Sequence, residues 1–594
     1  MVPRQPLRII PFVLLFALLA AVRATAQSPV DPGQLPGRTS FYLLWRGTPA
    51  GEVRAKNSVY ALWDDPDFAP ARSTFFASLL SQSQKQKDKP PALSPDEAKQ
   101  YATLLDNPYL LGYLRRPEST APAAPAAAKS AAAPKAKPSW NGMFFVYDRS
   151  GKEELLSKAV VRLRGSETDI PKLTPLTVAG VPALKVERRD STTYWAEFGK
   201  YAVSAQEQSV FEEILNLLNG KPPASNLSQS AAFLEAKPLL SGGLVEFFLN
   251  VSNLKELAME SSGDTSAQFK PFLAALKLDS LHSVAGHLSL EGQRTRIQAA
   301  ILGDTAPGSL FDLFSEGQNS PASLGLVSPE TLYYSESQLD LLGLYKFLKN
   351  AIMQGSSNPS QQVNLLETAA NTRLGMPLAD ALGLTTGEFA SLQTSPSFDK
   401  NEQVYYLGIR NKESALKLTR SLMGDRISSE RNEGNATFLK ISLQGGQSSS
   451  GVAQWNFYYL AMTPTALLGA PRTDVLHKYL ELSSSGGDPA SSKGFQAARA
   501  QFPERLNGLT YVDLQKLDWA ALKSKWIAEG EKSAQAAKST DASGSKPTDA
   551  SKTPQPVPSW LNLISPDVIP RHLHTVAGAS WKDAKGVHFD EWIE

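Results

Sequence analysis

Near the C-terminus, Arg571-His572-Leu573-His574 places two imidazoles two positions apart. On a strand that spacing puts both rings on one face. His588, Asp590 and Glu591 follow on what reads as the partner strand of a hairpin. A zinc ion takes three or four such ligands in tetrahedral convergence, so His572, His574 and His588 are the candidate metal ligands of this chain. The competing reading is a histidine-bearing strand entering a sheet. His282 of the segment LHSVAG stands opposite His574 of LHTVAG, whereas Ser280 stands opposite His572. A histidine present in both segments suits packing or hydrogen bonding better than metal. The expectation is no metal, no cofactor and no catalytic residue.

Other spacings lead to the same expectation. Trp63-Asp64-Asp65-Pro66-Asp67 gathers three carboxylates, but Phe68, Ala69 and Pro70 stand where a calcium loop needs further oxygen ligands and a bend glycine. A capped turn or helix start is the simpler reading. Gly151-Lys152, Gly199-Lys200 and Gly220-Lys221 lack the hydroxyl residue and upstream glycine of a phosphate loop. No histidine is followed by glutamate, and there is no GxSxG elbow. Ser-x-x-Lys at Ser252/Lys255, Ser397/Lys400 and Ser414/Lys417 is ordinary in a chain this rich in both residues. Adjacent aromatics recur at Phe41-Tyr42, Tyr333-Tyr334, Tyr405-Tyr406 and Phe457-Tyr458-Tyr459. On a strand such neighbours send one ring to each face. Either both faces are covered, or one is an aromatic surface for a glycan or protein partner.

The elements that carry these residues belong to an exported chain. Arg4 and Arg8 precede an uncharged apolar run, residues 9–22, and Ala24-Thr25-Ala26 is a small-x-small junction. This is the pattern of a signal peptide, residues 1–26, cleaved between Ala26 and Gln27. At 14 residues the run is short for a bilayer span. Cleavage would take the formal charge from +2 to −1 by removing Arg4, Arg8 and Arg23. A near-neutral balance gives no reason to expect nucleic acid. The absence of cysteine excludes disulfides, thiolate metal sites, a cysteine nucleophile and a lipid-bearing cysteine. A periplasmic or secreted location follows, with no membrane-spanning segment after cleavage.

With 594 residues the chain is too long for one core, and it repeats itself. Residues 193–215 align with 458–480 at an offset of 265, matching Tyr194 with Tyr459, Val210 with Val475 and Leu215 with Leu480. Residues 242–257 align with 507–522 at that offset, and LHSVAG with LHTVAG at 292. The extra length is matched by residues 531–559, rich in Lys, Ala, Ser, Thr and Pro. Such a composition cannot bury enough apolar surface to offset its ordering entropy. Residues 117–139 read as a similar flexible insertion in the first copy. The openings match as Pro36–Trp45 beside Pro329–Ser337.

Local patterns recur in both halves. Strand-like runs at 144–147 and 404–407 precede helical stretches at 153–163 and 414–422. Leu184-Lys185-Val186 and Leu439-Lys440-Ile441 alternate with the period of a strand. Gly199-Lys200 reads as a two-residue hairpin turn, and Val210, Phe211, Ile214, Leu215 and Leu218 as one helix face. Each half closes on a hairpin. The expected fold class is α+β with largely antiparallel sheets, in two homologous copies spanning 35–303 and 327–594, joined by a connector at 304–326.

The leader, LPGRTSFYLLWRGTP, NSVYALW, the paired LHSVAG/LHTVAG and NGLTYVDLQKL together resemble an exported bacterial family of unknown function, of the domain-of-unknown-function 3352 kind. That resemblance lies in packing patterns and implies no catalytic residue. Three functions are compatible with the chain. The preferred one is a non-enzymatic envelope protein with a structural or binding role. The others are a carrier of an apolar ligand within or between the repeats, and an extracytoplasmic hydrolase of unfamiliar type.

Overall fold

The computed structural model describes residues 30–82, 95–115, 142–164, 172–188, 191–262, 277–315, 317–355, 358–398, 402–443, 457–485, 492–528, 531 and 562–594. The leader with its Ala26/Gln27 junction and the segment 117–139 lie outside the described residues, as does 531–559 apart from residue 531. Helices and antiparallel strands are mixed throughout, the α+β class. No helix among the described residues is long and apolar enough to cross a membrane.

The chain falls into two compact units. Unit one holds residues up to Tyr60, Phe76–Lys270 and Asp279–Gly303. Unit two holds Ala61–Phe75, Pro271–Leu278 and Asp304–Glu594.

Among its described residues unit one contains ten strands: β1 (Thr39–Trp45), β2 (Tyr109–Leu114), β3 (Met143–Asp148), β4 (Lys172–Val178), β5 (Val181–Glu187), β6 (Thr192–Phe198), β7 (Tyr201–Ala205), β8 (Val245–Asn250), β9 (Leu281–Glu291) and β10 (Arg294–Gly303). They pair antiparallel in the order β4-β5-β6-β7-β3-β2-β1-β8-β9-β10. Phe198 pairs with Tyr201 across Gly199-Lys200. Gly199 has φ 55°, the left-handed conformation a tight hairpin with glycine first requires. In β2, Gly112 leaves room for the Phe144 ring, which would lie 2.4 Å from a Cβ placed there. Helix Gln208–Leu218 buries Val210, Phe211, Ile214, Leu215 and Leu217 against the face formed by Phe144, Val146, Ala196 and Val203. Leu218, expected on that stripe, is only partly buried at its edge. The opposite face packs Tyr147 and Ala202 on Leu156 of helix Glu153–Arg164.

Unit two contains β11 (Tyr333–Gln338), β12 (Thr385–Gln393), β13 (Gln403–Ile409), β14 (Ile427–Glu433), β15 (Ala436–Ser442), β16 (Phe457–Met462), β17 (Ala466–Ala470), β18 (Gly508–Asp513), β19 (Thr575–Asp583) and β20 (Gly586–Ile593). Their order is β14-β15-β16-β17-β13-β12-β11-β18-β19-β20, again antiparallel at each pairing. Helices Thr473–Ser485 and Lys493–Arg499 cover one face with Val475, Leu476, Tyr479, Phe495 and Ala498. Helix Lys412–Met423 packs Ala415 and Leu416 on Leu439, Ile441 and Met462 of the other. Asn411 caps that helix by accepting the Ser414 N–H at 2.9 Å. The β16–β17 turn, unlike the β6–β7 turn, contains no glycine. Thr463 closes it instead, its Oγ1 accepting the Ala466 N–H at 3.0 Å. The end strand β4 carries Pro175, and β14 carries Glu430, Arg431 and Glu433, features that blunt an open edge against pairing with another chain.

Candidate functional site

The three candidate histidines do not converge. His572 closes a helix, Val568–His572, rather than lying on a strand with His574. Pro570 sits in the first turn of that helix, where no intrahelical N–H is required, and the Leu573 N–H closes the end on the Ile569 carbonyl at 2.8 Å. His574 precedes β19 and gives its backbone N–H to the Glu594 carbonyl. His588 lies on β20, stacked on Trp581 of β19 with ring centroids 5.3 Å apart, and its Nε2 is 3.0 Å from Asp583 Oδ1. Among the described residues no group of three His, Cys, Asp or Glu side chains could hold a metal ion. His282, on β9, places Nδ1 2.8 Å from Glu235 Oε2.

His572 instead meets the aspartate-rich segment. Its Nε2 is 2.7 Å from Asp65 Oδ2, Arg571 donates to Asp67 at 2.6 Å, and Arg571 also lies 3.4 Å from Asp65. Asp65 Oδ1 accepts the Asp67 N–H at 2.8 Å. The hydrogen bond from His572 holds the Asp65 carboxyl below the usual aspartate range, with the Asp67 amide and Arg571 adding to it against the opposing effect of burial. This is a clasp within unit two, made of two segments far apart in sequence that had been singled out separately.

The aromatic pairs divide between faces as strand geometry requires. Tyr42 is buried beside Phe248 and Phe233, while Phe41 stacks on Tyr113 with centroids 6.2 Å apart. Tyr334 meets Phe495 edge-on at 5.5 Å, while Tyr333 meets Phe398 at 6.1 Å.

One group with altered acid–base chemistry was missed in the sequence. On β11, Tyr334, Glu336 and Gln338 share the inward face; on β12, Glu388 lies opposite Gln338 and Ala390 opposite Glu336. Glu336 and Glu388 are therefore diagonal neighbours on adjacent strands, 4% and 3% exposed. Glu388 accepts the Ser323 N–H at 2.7 Å and the Ala322 N–H at 3.2 Å. The Tyr334 hydroxyl donates to Glu336 at 3.3 Å and lies 2.9 Å from Ser323 Oγ. Gln338 Nε2 reaches Glu336 at the long distance of 3.5 Å. Burial first, and then the Glu388 charge, push the Glu336 carboxyl up to about 7. Arg499 is the nearby cation, but it gives its guanidinium to the Pro503 carbonyl at 2.6 Å and to that of Glu504. The signal was present: in YYSESQ, period two puts Glu336 on the same face as the buried Tyr334.

Unit one keeps a different buried acid. Glu246 on β8, 2% exposed, accepts from Arg46 Nη2 at 2.6 Å and Nε at 3.3 Å. Burial raises its carboxyl, opposed by the Arg46 hydrogen bond and charge and by His287, the residue facing it on β9. His287 Nδ1 is 2.7 Å from the Leu239 carbonyl.

Two neighbouring buried carboxyls, one with its proton held more tightly than usual, are an arrangement used in general acid–base chemistry, but a reacting atom would have to reach them. Surface concavities occur among the described residues. One, of about 660 Å³, runs along helix Pro359–Leu374 past Gln361, Leu365 and Thr368. Another, of about 140 Å³, is lined by Thr394, Glu402, Arg472, Asp474, Val475 and Lys478. Neither contains Glu336, Glu388 or Glu246. No protein-family model, curated protein or solved structure matches this chain.

Proposed function

We propose that this chain is a non-enzymatic, exported envelope protein with a structural or binding role, built from two diverged copies of one unit and akin to the domain-of-unknown-function 3352 kind. The copies span 35–303 and 327–594, with 304–326 as connector. One observation carries the reading: the two units have their packing in common but not their polar chemistry.

The two strand orders correspond place for place, β4 with β14, β1 with β11 and β10 with β20. Tyr194 faces Ala205 as Tyr459 faces Ala470, and Lys185 faces Tyr194 as Lys440 faces Tyr459. Phe233 meets Phe248 at 5.4 Å and 82°, and Phe495 meets Tyr511 at 5.4 Å and 82°. Through β9 and β19 the registers align Leu249 with Val512. That is two residues from the alignment read in the sequence, a difference that leaves every side chain on its face. The opening strands align Tyr42 with Tyr334, one residue from the alignment through Pro36 and Pro329. At this common frame, unit one has Arg46 with Glu246 and unit two has Gln338 with Glu336 and Glu388. A substrate would need the acid of one of these sets open to solvent, and Glu246, Glu336 and Glu388 are all buried.

Binding has its own support. Leu348 and Met353 of helix Leu341–Gly355, and Leu365 and Leu366 of helix Pro359–Leu374, are 43–66% exposed. Aliphatic side chains of this kind suit a protein partner better than a glycan, which stacks on rings. The test is recovery from the native host's envelope with N-terminal sequencing and cross-linking. A chain beginning at Gln27 and cross-linked through residue 365 to an envelope protein is the expected result. An intact Met1, or a hydrolytic activity lost on Glu336→Gln, would overturn the reading.

A further inference from the structure

We infer that unit two contains a proton-operated latch: with a proton on Glu336, the Glu388 carboxylate holds the Ala322 and Ser323 amides, and loss of that proton to solvent frees the start of the Ala322–Leu326 turn from the sheet. The inference goes beyond the proposed envelope role and does not depend on it.

The geometry defines the held state. Glu388 supplies two acceptors to two backbone N–H groups at the N-terminal end of the Ala322–Leu326 3-10 turn. The next contact is Ser323 Oγ with the Tyr334 hydroxyl, whose hydrogen points to Glu336. Among the described residues, the two amides at this turn's start thus end on Glu388, and the Ser323 hydroxyl on a tyrosine that is itself bonded to Glu336. Further along, Leu326 and Val327 are 1% and 0% exposed and anchor the rest apolarly. A local opening at 322–323 therefore need not unfold the unit.

The groups facing Glu336 do not neutralise it. Its own strand brings Tyr334 and the uncharged Gln338, β12 brings Glu388, β18 brings Leu509 and Tyr511, and helix Lys493–Arg499 brings Arg499. Arg499 is committed to main-chain carbonyls. Among the described residues neither carboxyl is ion-paired, Arg499 acting on Glu336 only through its charge, and two negative charges here are relieved by a proton on one or by water entering. Unit one shows the alternative. Arg46 donates its backbone N–H to Leu244 just before β8, as Gln338 does to Asn507 just before β18. At that shared position unit one holds a guanidinium, and unit two an amide. The Glu336 carboxyl, pushed up to about 7 by burial and by Glu388, loses its proton in a range where ordinary carboxyls are already ionised.

The experiment is hydrogen exchange by mass spectrometry on the mature full chain at about pH 6 and about pH 8.5, corrected for the intrinsic rate. It compares wild type with Glu336→Gln and Gln338→Arg. A pKa moved from 4.5 to about 7 bounds the effect at roughly 300-fold, and a local opening should show at least about tenfold. The peptide covering 322–326 should lose that protection at the higher pH in wild type and keep it in Glu336→Gln. Gln338→Arg, which brings in the unit-one cation, should also keep it. Equal corrected protection at both pH values in wild type would overturn the latch. So would an unchanged pH response in Glu336→Gln, with circular dichroism showing that variant folded.

Discussion

Replacing Glu336 with glutamine should stabilise the protein at alkaline pH and leave it nearly unchanged at acid pH. The carboxyl of Glu336 moves from an ordinary 4.5 to about 7 on folding. The folded state therefore binds the proton more tightly than the unfolded chain. Below about pH 4.5 both states are protonated and the group costs nothing. Between about 4.5 and 7 the unfolded chain releases its proton first and stability falls; above about 7 the loss is complete. Roughly 2.5 pH units at about 1.4 kcal/mol each make it about 3 kcal/mol. Glutamine keeps the shape and an acceptor for Tyr334 but never ionises, so Glu336→Gln should exceed wild type by no more than about 1 kcal/mol near pH 5 and by up to about 3 kcal/mol near pH 8. Glu591, also pushed up to about 7 by burial, acts alike in both proteins and cancels. Urea unfolding followed by tryptophan fluorescence from pH 5 to about 8.5 reads the difference, with each transition fitted separately because two units need not unfold together. A variant no more stable than wild type at about pH 8, or one with the wild-type pH slope, would refute the reasoning.

Three further outcomes follow from the same contacts. Phe233→Ala and Phe495→Ala should each cost about 3–5 kcal/mol, because each ring is nearly fully buried between aromatic partners; a loss under about 1.5 kcal/mol in urea melts would mean that its helix is not seated on the sheet. Arg46→Met should destabilise by about 3–5 kcal/mol at neutral pH by leaving Glu246 unpaired in the core, and adding Glu246→Leu should recover most of that; a double variant no better than the single would refute it. His572→Ala should raise the pH at which acid unfolding begins. Asp65 is depressed on folding, so its contribution is present above the ordinary aspartate range and lost as pH falls; without His572 that contribution is smaller from the start, and less stability remains to be lost before the chain unfolds. An unchanged acid transition would count against the clasp.

Much of the local structure was legible in the sequence because it depends on neighbours within a few residues. The alternation of Leu184 with Val186 and of Leu439 with Ile441, the Gly199-Lys200 turn, and the stripe Val210, Phe211, Ile214 and Leu215 each encode their element through backbone period and turn chemistry. His572 was misplaced because a period-two pair of histidines looks the same on a strand as at the end of a short helix. Pro570 in a first turn was the discriminating feature. The meeting of Asp65 with His572, and of Glu388 with the Ser323 amide, came only from tertiary structure. The charge on a carboxyl such as Glu336 is decided there as well. Whether it keeps its proton depends on how much water the packed sheet removes and on which cation, if any, stands within reach. Neither quantity is a property of a residue's neighbours along the chain.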